Sequence, residues 1–296
     1  VGYLFLGGVG GGLLAVAGPA AMLGRPRAGA LDSRPAQRSP SGTAFAVAAL
    51  SLVLGSLLLL ADAGNYAALP WLFFSPRPTY LTFGSWALAV GVLLGFLGAL
   101  LWFGRVRVRL RASRLFHGAC IVAGLAIALY TGLYLSSMGA VAFWNGAWVP
   151  ALFVLSSLSC GLVLFSAAAT ALGSGGAAAQ AAPLLRIDIA VAAAELVVAL
   201  AFVLVAAAFP EAGSRAVGAQ SAVALMTGPD AWLWWGVFMG LGVAAVVALD
   251  VAALRTRIRT AGRLWNTLAP AVCVLLGALA MRYCIVEAGM HPALGF

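Results

Sequence analysis

The residues best suited to chemistry in this sequence are acids and tyrosines that lie within or beside long apolar segments. Five of the eight acids do so, and they are Asp62, Asp188, Glu195, Asp250 and Glu287. Tyr3 and Tyr130 supply phenols in similar surroundings. Phenols and carboxyl groups donate hydrogen bonds to carbonyl oxygens and carry protons, so these positions are candidates for proton transfer in an apolar site.

The composition predicts that such a site lies in a membrane. Of the 296 residues, 64% are apolar and only 8% are charged, whereas a soluble domain has about 25% charged residues because its surface faces water. Arginine provides all 17 basic residues, and the net charge is +9. A basic chain invites a nucleic-acid interpretation, but in so apolar a sequence the charge indicates the loops that set membrane orientation.

Apolar runs long enough to cross a bilayer recur along the whole chain, separated by Pro, Gly and arginine clusters. They predict an all-α integral membrane protein with eight transmembrane helices. The expected spans are 1–22, 44–63, 80–104, 116–136, 148–172, 184–209, 231–254 and 264–285. In the first span, the spacing of Gly8 and Gly12 predicts close helix packing and does not fit a nucleotide-binding loop.

The arginines fall mainly on one side of this arrangement. Fourteen lie in or beside the connections after the first, third, fifth and seventh spans, and only Arg77, Arg215 and Arg282 lie toward the other side. Because positive residues concentrate in cytoplasmic loops, we expect an N-terminus outside. The expected location is the bacterial inner membrane. The chain opens at Val1 without a methionine, so we also expect a short segment before it.

This orientation places Tyr3, Asp62 and Tyr130 at one depth near the outer face, on three different helices. Tyr3 begins the first span, Asp62 ends the second, and Tyr130 lies roughly 20 Å above the cytoplasmic end of the fourth. A quinone needs an apolar slot, a hydrogen-bond partner at each carbonyl and a source or sink for two protons. The two phenols and the carboxyl group supply the hydrogen-bond partners and the proton-carrying groups. The alternatives are an Asp62 facing the headgroups, an interfacial anchor at Tyr3, and a Tyr130 hydroxyl bonded to a neighbouring helix.

Other polar residues inside the spans predict a route for protons from the cytoplasm. Glu195 lies near the middle of the sixth span, and Arg186, Asp188 and Asp250 lie toward the cytoplasmic side. The alternatives are that Arg186 only anchors its helix and that Asp250 pairs with Arg255 or another neighbour. Near the outer end of the eighth span, we expect a polar pair formed by the last two candidates, Arg282 and Glu287.

A haem or metal site is not predicted. A b-type haem between helices needs two axial ligands at similar depth, but His117 and His291 lie on opposite sides of the membrane. The cysteines lie singly in apolar runs, which indicates packing rather than a disulfide or metal framework. They are Cys120, Cys160, Cys273 and Cys284. We therefore expect electrons to reach this chain from another subunit.

Several segments carry a family resemblance that covers nearly the whole chain. One is the first helix, GYLFLGGVGGGLLAVAG, and another runs from Asp62 through LPWLFFSPRPTYLTFGSWAL. The strongest is YTGLYLSSMGAVAFWNGAWVPALFVLSSLSCG, residues 130–161, and PLLRIDIAVAAAEL and MRYCIVEAG also fit. Together they resemble the NrfD family, the membrane subunits of polysulfide-reductase-like complexes.

The resemblance implies two four-helix bundles, no haem, an iron–sulfur partner and usually a molybdopterin catalytic subunit on the outer face. It gives Asp62 and Tyr130 the positions of the family's quinone-site acid and tyrosine. Arg186 takes the position of an arginine on the family's proposed proton path. Tyr3 falls where the polysulfide reductase subunit has a quinone-binding histidine, so this chain differs there and offers a phenol instead.

We therefore expect a quinone-reactive anchor subunit of a respiratory oxidoreductase, using menaquinone or ubiquinone, non-catalytic alone and a candidate for proton translocation. Residues 1–136 would form the quinone-site bundle, and residues 137–296 the second bundle with the polar path. One alternative is a secondary transporter, although the paired Gly/Pro-interrupted helices of that class are not evident. The other is a purely structural anchor. Purification from the native membrane separates these classes, because a redox anchor brings iron–sulfur absorbance with its partners.

Overall fold

The computed structural model describes ten segments of the chain. They are residues 1–23, 40–62, 73–74, 79–103, 114–139, 141–144, 146–172, 177–208, 214–256 and 265–290. His291 and most of the arginines that predict the orientation lie outside the described residues. In the described residues the secondary structure is helical and contains no strand, as the sequence predicted.

Nine helices account for most of the described residues. They are α1 (Gly2–Leu23), α2 (Pro40–Asp62), α3 (Tyr80–Phe103), α4 (Arg114–Ser136), α5 (Trp148–Ala171), α6 (Ala177–Ala208), α7 (Ser214–Thr227), α8 and α9 (Trp265–Gly289). Helix α8 begins as a π-helix, Leu233–Ala245, and continues as an α-helix, Val246–Thr256. All of these helices except α7 are long and apolar enough to span a membrane, which confirms the eight predicted spans.

The structure differs from the sequence-based boundaries in four places. Helix α2 begins at Pro40 and not at residue 44. Helix α7 was expected to be a loop, because at 14 residues it is too short and too polar to register as a span. Helix α6 begins at Ala177, since the alanine-rich stretch before Pro183 favours helix although proline suggested a break. Helix α9 continues to Gly289, so Glu287 lies within the last helix and not after it.

The contacts between helices divide the spans into two sets. Helices α1, α2, α3 and α4 pack as neighbours in one set, and α5, α6, α8 and α9 pack as neighbours in the other. Helix α5 also packs against α1 and α4, and so joins the sets. This pattern is consistent with the two four-helix bundles that the family resemblance implies.

Helix α1 is the most enclosed of the spans. Within its most apolar stretch 83% of residues are buried, against 28% in α3 and in α6. Its glycines allow this position: a Cβ at Gly12 would overlap the carbonyl oxygen of Ser157 on α5, and a Cβ at Gly161 would overlap the carbonyl oxygen of Gly12. On the other side, Gly11 and Gly124 of α4 face each other in the same way. The predicted close packing through Gly12 is thus confirmed, as expected where helices associate in lipid through small residues.

We predict that Gly12→Ala destabilises the protein by about 1–3 kcal/mol, because the added methyl group meets backbone that cannot rotate away. Gly118→Ala on α4 is the matched control, since a Cβ there meets nothing within 4 Å. Both changes raise helix propensity equally, so a difference in stability between the two variants measures the cost of the overlap between the new methyl group and the α5 backbone. The measurement is thermal unfolding in detergent, and equal unfolding temperatures for the two variants would contradict the α1–α5 contact.

Candidate functional site

The three residues predicted for the outer site are brought together by α1, α2 and α4. The phenol of Tyr3 interacts electrostatically with Asp62 at the end of α2 and with Tyr134 on α4. The phenol of Tyr130 in turn interacts with Tyr3 and Tyr134. The ring centroids of Tyr130 and Tyr134 are 6.1 Å apart. We call these four side chains the outer cluster.

Tyr134 belongs to the outer cluster although the sequence analysis did not single it out. It follows Tyr130 by four residues, a spacing that places two side chains on the same face of a helix. That spacing was visible in the sequence and could have identified it.

The outer cluster runs from the protein interior to the surface. Tyr130 is buried, with 3% of its surface exposed. Tyr3 is half-buried, and Asp62 is exposed. A ligand ring held between the phenols would therefore be in apolar surroundings, while the carboxyl group of Asp62 retains access to the outside of the protein. This gradient suits a site that releases or takes up protons at one edge.

Helix α3 closes the outer cluster at Gly84. A Cβ at this position would overlap the ring of Tyr130, so only glycine lets the phenol lie against the α3 backbone. The neighbouring Ser85 hydroxyl is used locally, donating to the carbonyl oxygen of Leu81 at 2.9 Å. Trp86 donates from its indole nitrogen to the carbonyl oxygen of Phe73 at 3.2 Å. Phe73 is thereby held against α3 next to the outer cluster.

A second group of polar residues lies inside the second set of helices. Asp188 and Glu195 on α6 and Asp250 on α8 are all buried, with at most 4% of their surfaces exposed. Ser159 on α5 donates to the Oδ1 atom of Asp188 at 3.1 Å. Asp188 and Asp250 share a hydrogen bond, which requires a proton on one of the two carboxyl groups. The partner of Asp250 is therefore an acid on another helix.

Glu195 completes this group, which we call the inner network. Its carboxyl group bonds to the Ser156 hydroxyl and interacts electrostatically with Asp188 and Arg282. Glu195 follows Asp188 by seven residues, so both lie on the same face of α6 about 10.5 Å apart along its axis. The structure thus gathers three of the four residues predicted for the proton path.

Arg186 does not join the inner network. Its side chain is exposed, whereas that of Asp188 on the same helix is buried. Two positions along an α-helix are about 200° apart around its axis, so the two side chains leave α6 in nearly opposite directions.

The predicted outer pair of Arg282 and Glu287 is not formed. Arg282 is completely buried and donates to the hydroxyls of Ser156 at 3.2 Å and Ser157 at 3.0 Å. It also donates to the carbonyl oxygen of Ala278 at 3.0 Å. Glu287 is exposed instead. Five positions along a helix are about 140° apart around its axis, so one residue faces the interior and the other faces outward.

The serines of α5 are the functional candidates that sequence reasoning missed. Ser156, Ser157 and Ser159 are all buried, and their hydroxyls contact Arg282, Glu195 and Asp188. The signal was a run of three serines within four residues of an otherwise apolar span. These serines entered the sequence analysis only as part of a family motif, because nothing in the sequence indicated which face of α5 meets α6 and α9.

The remaining candidate ligands are dispersed. Among the described residues, no group of three His, Cys, Asp or Glu side chains is arranged to hold a metal ion. His117 is buried at the start of α4, where its ring contacts Trp102 and Phe116 edge-on. Cys120, Cys160 and Cys284 belong to the apolar cores of the helix sets, in agreement with a packing role.

Comparison with known proteins gives one family. A family model described as "Polysulphide reductase, NrfD" matches residues 1–292, which is nearly the entire chain. The match confirms the resemblance found in the sequence motifs. No curated protein matches the sequence.

We predict that Asp250→Ala lowers the free energy of unfolding by about 1–3 kcal/mol, because Asp188 then loses a hydrogen-bond partner inside the protein. Asp250→Asn is the matched control, since an amide group can still donate to Asp188 and adds no second acid. The measurement is thermal unfolding of both variants in detergent. If the alanine and asparagine variants unfold at the same temperature, the hydrogen bond between the two acids is contradicted.

Proposed function

Because the chain belongs to the NrfD family, we propose that it is the quinone-reactive membrane subunit of a respiratory oxidoreductase complex. Members of the family are membrane subunits of such complexes and generally associate with iron–sulfur and molybdopterin subunits. The observation that carries the proposal is the outer cluster, in which Tyr3, Asp62 and Tyr130 meet from three helices. The chain is a multi-pass membrane protein with eight candidate spans.

The chemistry of the outer cluster matches what quinol oxidation requires. The phenols of Tyr3 and Tyr130 can donate hydrogen bonds to the quinone oxygens. Oxidation of a quinol releases two protons together with two electrons. Asp62 accepts protons at the exposed edge and passes them to water on the outer side. The electrons pass to an iron–sulfur partner, for which we propose a docking position on the outer face.

The inner network supports a path for protons from the cytoplasmic side. Asp188, Asp250 and Glu195 are buried carboxyl groups: Asp188 and Asp250 share a hydrogen bond, Ser159 donates to Asp188, and Ser156 bonds to Glu195. Residues of this kind inside a membrane are costly and usually functional. Arg186 would stand at the cytoplasmic entrance of the path on the exposed side of α6. The arginine distribution supports an N-terminus outside. Membership of a family of respiratory membrane subunits supports a location in the bacterial inner membrane.

We predict that Asp62→Asn and Tyr130→Phe each lower quinol oxidation by the purified complex at least about tenfold, because each removes a proton-carrying group or a donor worth roughly 1.5–3 kcal/mol. The matched controls are Asp230→Asn and Tyr80→Phe, which change the same groups outside the outer cluster. The measurement is quinol-dependent reduction of an electron acceptor together with quenching of a fluorescent quinol analogue. Unchanged turnover in Asp62→Asn would remove this acid from the mechanism.

We also predict that Gly84→Ala weakens binding of the quinol analogue while leaving every functional group in place. The added methyl group would displace the ring of Tyr130, which lies against Gly84. Gly118→Ala is the control, because its Cβ meets open space. Fluorescence titration gives the dissociation constant, and equal affinities for the two variants would exclude Tyr130 from the binding site.

A further inference from the structure

Arg282 is a buried cation whose contacts are incomplete. Its two terminal nitrogens donate to Ser156, Ser157 and the Ala278 carbonyl oxygen, and its guanidinium group lies over the Phe153 ring with 5.0 Å between centres. Its Nε atom has no hydrogen-bond partner among the described residues. A charge removed from water is costly unless an opposite charge compensates it. The acid that interacts with Arg282 is Glu195.

The hydroxyl of Ser156 links Arg282 to Glu195 with a fixed direction. Arginine has donors and no acceptor, so the Ser156 oxygen must accept from the Nη1 atom at 3.2 Å. The hydroxyl hydrogen is then available to donate to the carboxyl group of Glu195. Ser157 is polarised in the same way, accepting from Arg282 and donating to the carbonyl oxygen of Phe153 at 2.6 Å. Ser156 therefore presents a donor to the carboxyl group of Glu195.

Helix α1 provides the space that Arg282 occupies. A Cβ at Gly8 would overlap the Nη2 atom of Arg282 and would lie 2.8 Å from the Ser157 hydroxyl. At the preceding position, Gly7, a Cβ would meet only a Thr131 methyl group at the ordinary distance of 3.6 Å. The place of the cation thus depends on the absence of a side chain at one residue of α1.

We propose that Arg282 is a positioning residue that allows Glu195 to release and regain a proton inside the membrane, with Ser156 as the bridge. When Glu195 gives up its proton, the charge left on the carboxylate is balanced by Arg282. When the proton returns, Arg282 is held by the two serines. Without Arg282, an isolated carboxylate at this depth is too costly, and Glu195 stays protonated.

The other titratable groups near Glu195 cannot replace this cation. Cys160 on α5 and Asp188 on α6 interact with Glu195, and Asp250 on α8 reaches it through Asp188. None of these groups carries a positive charge. Arg282 on α9 is therefore the compensating charge in the inner network. The inference rests on the proposed function only in giving the proton transfer a role in quinone chemistry. The charge balance between Arg282 and Glu195 does not itself involve a quinone.

The test is the pH profile of carbodiimide labelling at Glu195 in membranes that contain the whole complex. Dicyclohexylcarbodiimide adds the O–H of a protonated carboxylic acid across a C=N bond, and the adduct rearranges to a stable N-acylurea that mass spectrometry locates. We expect labelling of Glu195 to fall as the pH rises in the native protein. In Arg282→Gln the label should stay high throughout, and in Arg282→Lys the fall should return because the charge is restored.

A native profile in Arg282→Gln would overturn the proposal. If that variant does not assemble, a glycine pair decides the question without removing the charge. Gly8→Ala should push the guanidinium group away and flatten the Glu195 profile, whereas Gly7→Ala should leave it native. Identical profiles for the two glycine variants would also overturn the proposal. Because labelling uses no quinol, a failure of quinol binding would leave these outcomes unaffected and would count only against the proposed function.

Discussion

The close backbone contact between α1 and α5 is the constraint on which the rest of the structure depends. Lipid is as apolar as the helix surfaces, so burial of apolar area does not by itself bring spans together. Gly12 and Gly161 let the two backbones touch, and Gly11 and Gly124 do the same between α1 and α4. Helix α1 is thereby held between the two sets of helices, and both polar groups of the protein lie along it.

Helix α5 has the complementary role of supplying hydroxyls. A serine on a membrane helix can satisfy its own hydrogen bond by donating to the carbonyl oxygen one turn before, as Ser157 does with Phe153. The same oxygen is then free to accept from a cation, which is how Arg282 is bound. Ser159 instead donates across to Asp188 on α6. Three small side chains on one helix therefore stabilise a cation and two acids on two other helices.

The elements that the sequence predicts well are those set by length and depth. Eight apolar runs give eight spans, and counting residues from the ends of those spans places Tyr3, Asp62 and Tyr130 at one level. What the sequence does not give is the direction of a side chain around its helix. In a soluble helix a polar stripe marks the outer face, but here lipid and protein core are equally apolar.

That difference explains why the directions of Arg282 and Arg186 were not predicted. Both are charged residues near helix ends by count, yet one points into the protein and the other away from it. The same ambiguity hides the meeting of Asp188 with Asp250, which are far apart in the chain and come together only when α6 packs against α8. The π-helical start of α8 adds to the difficulty. A π-helix has a different number of residues per turn from an α-helix, so it changes the direction in which Asp250 leaves α8, and no residue pattern in Leu233–Ala245 predicts it.

The two polar groups share a helix but no direct interaction among the described residues. Tyr3, Asp62, Tyr130 and Tyr134 interact with one another, and Glu195, Asp188, Asp250 and Arg282 form the other set. Helix α1 passes both, with Tyr3 in the outer cluster and Gly8 against Arg282, about 7.5 Å further along its axis. Between these two positions α1 carries Leu4, Phe5, Leu6 and Gly7, so this helix offers no titratable side chain to a proton that moves between the two polar groups. Gly8 instead makes room for Arg282, so the glycines that let α1 pack closely also determine where the charge of the inner network lies.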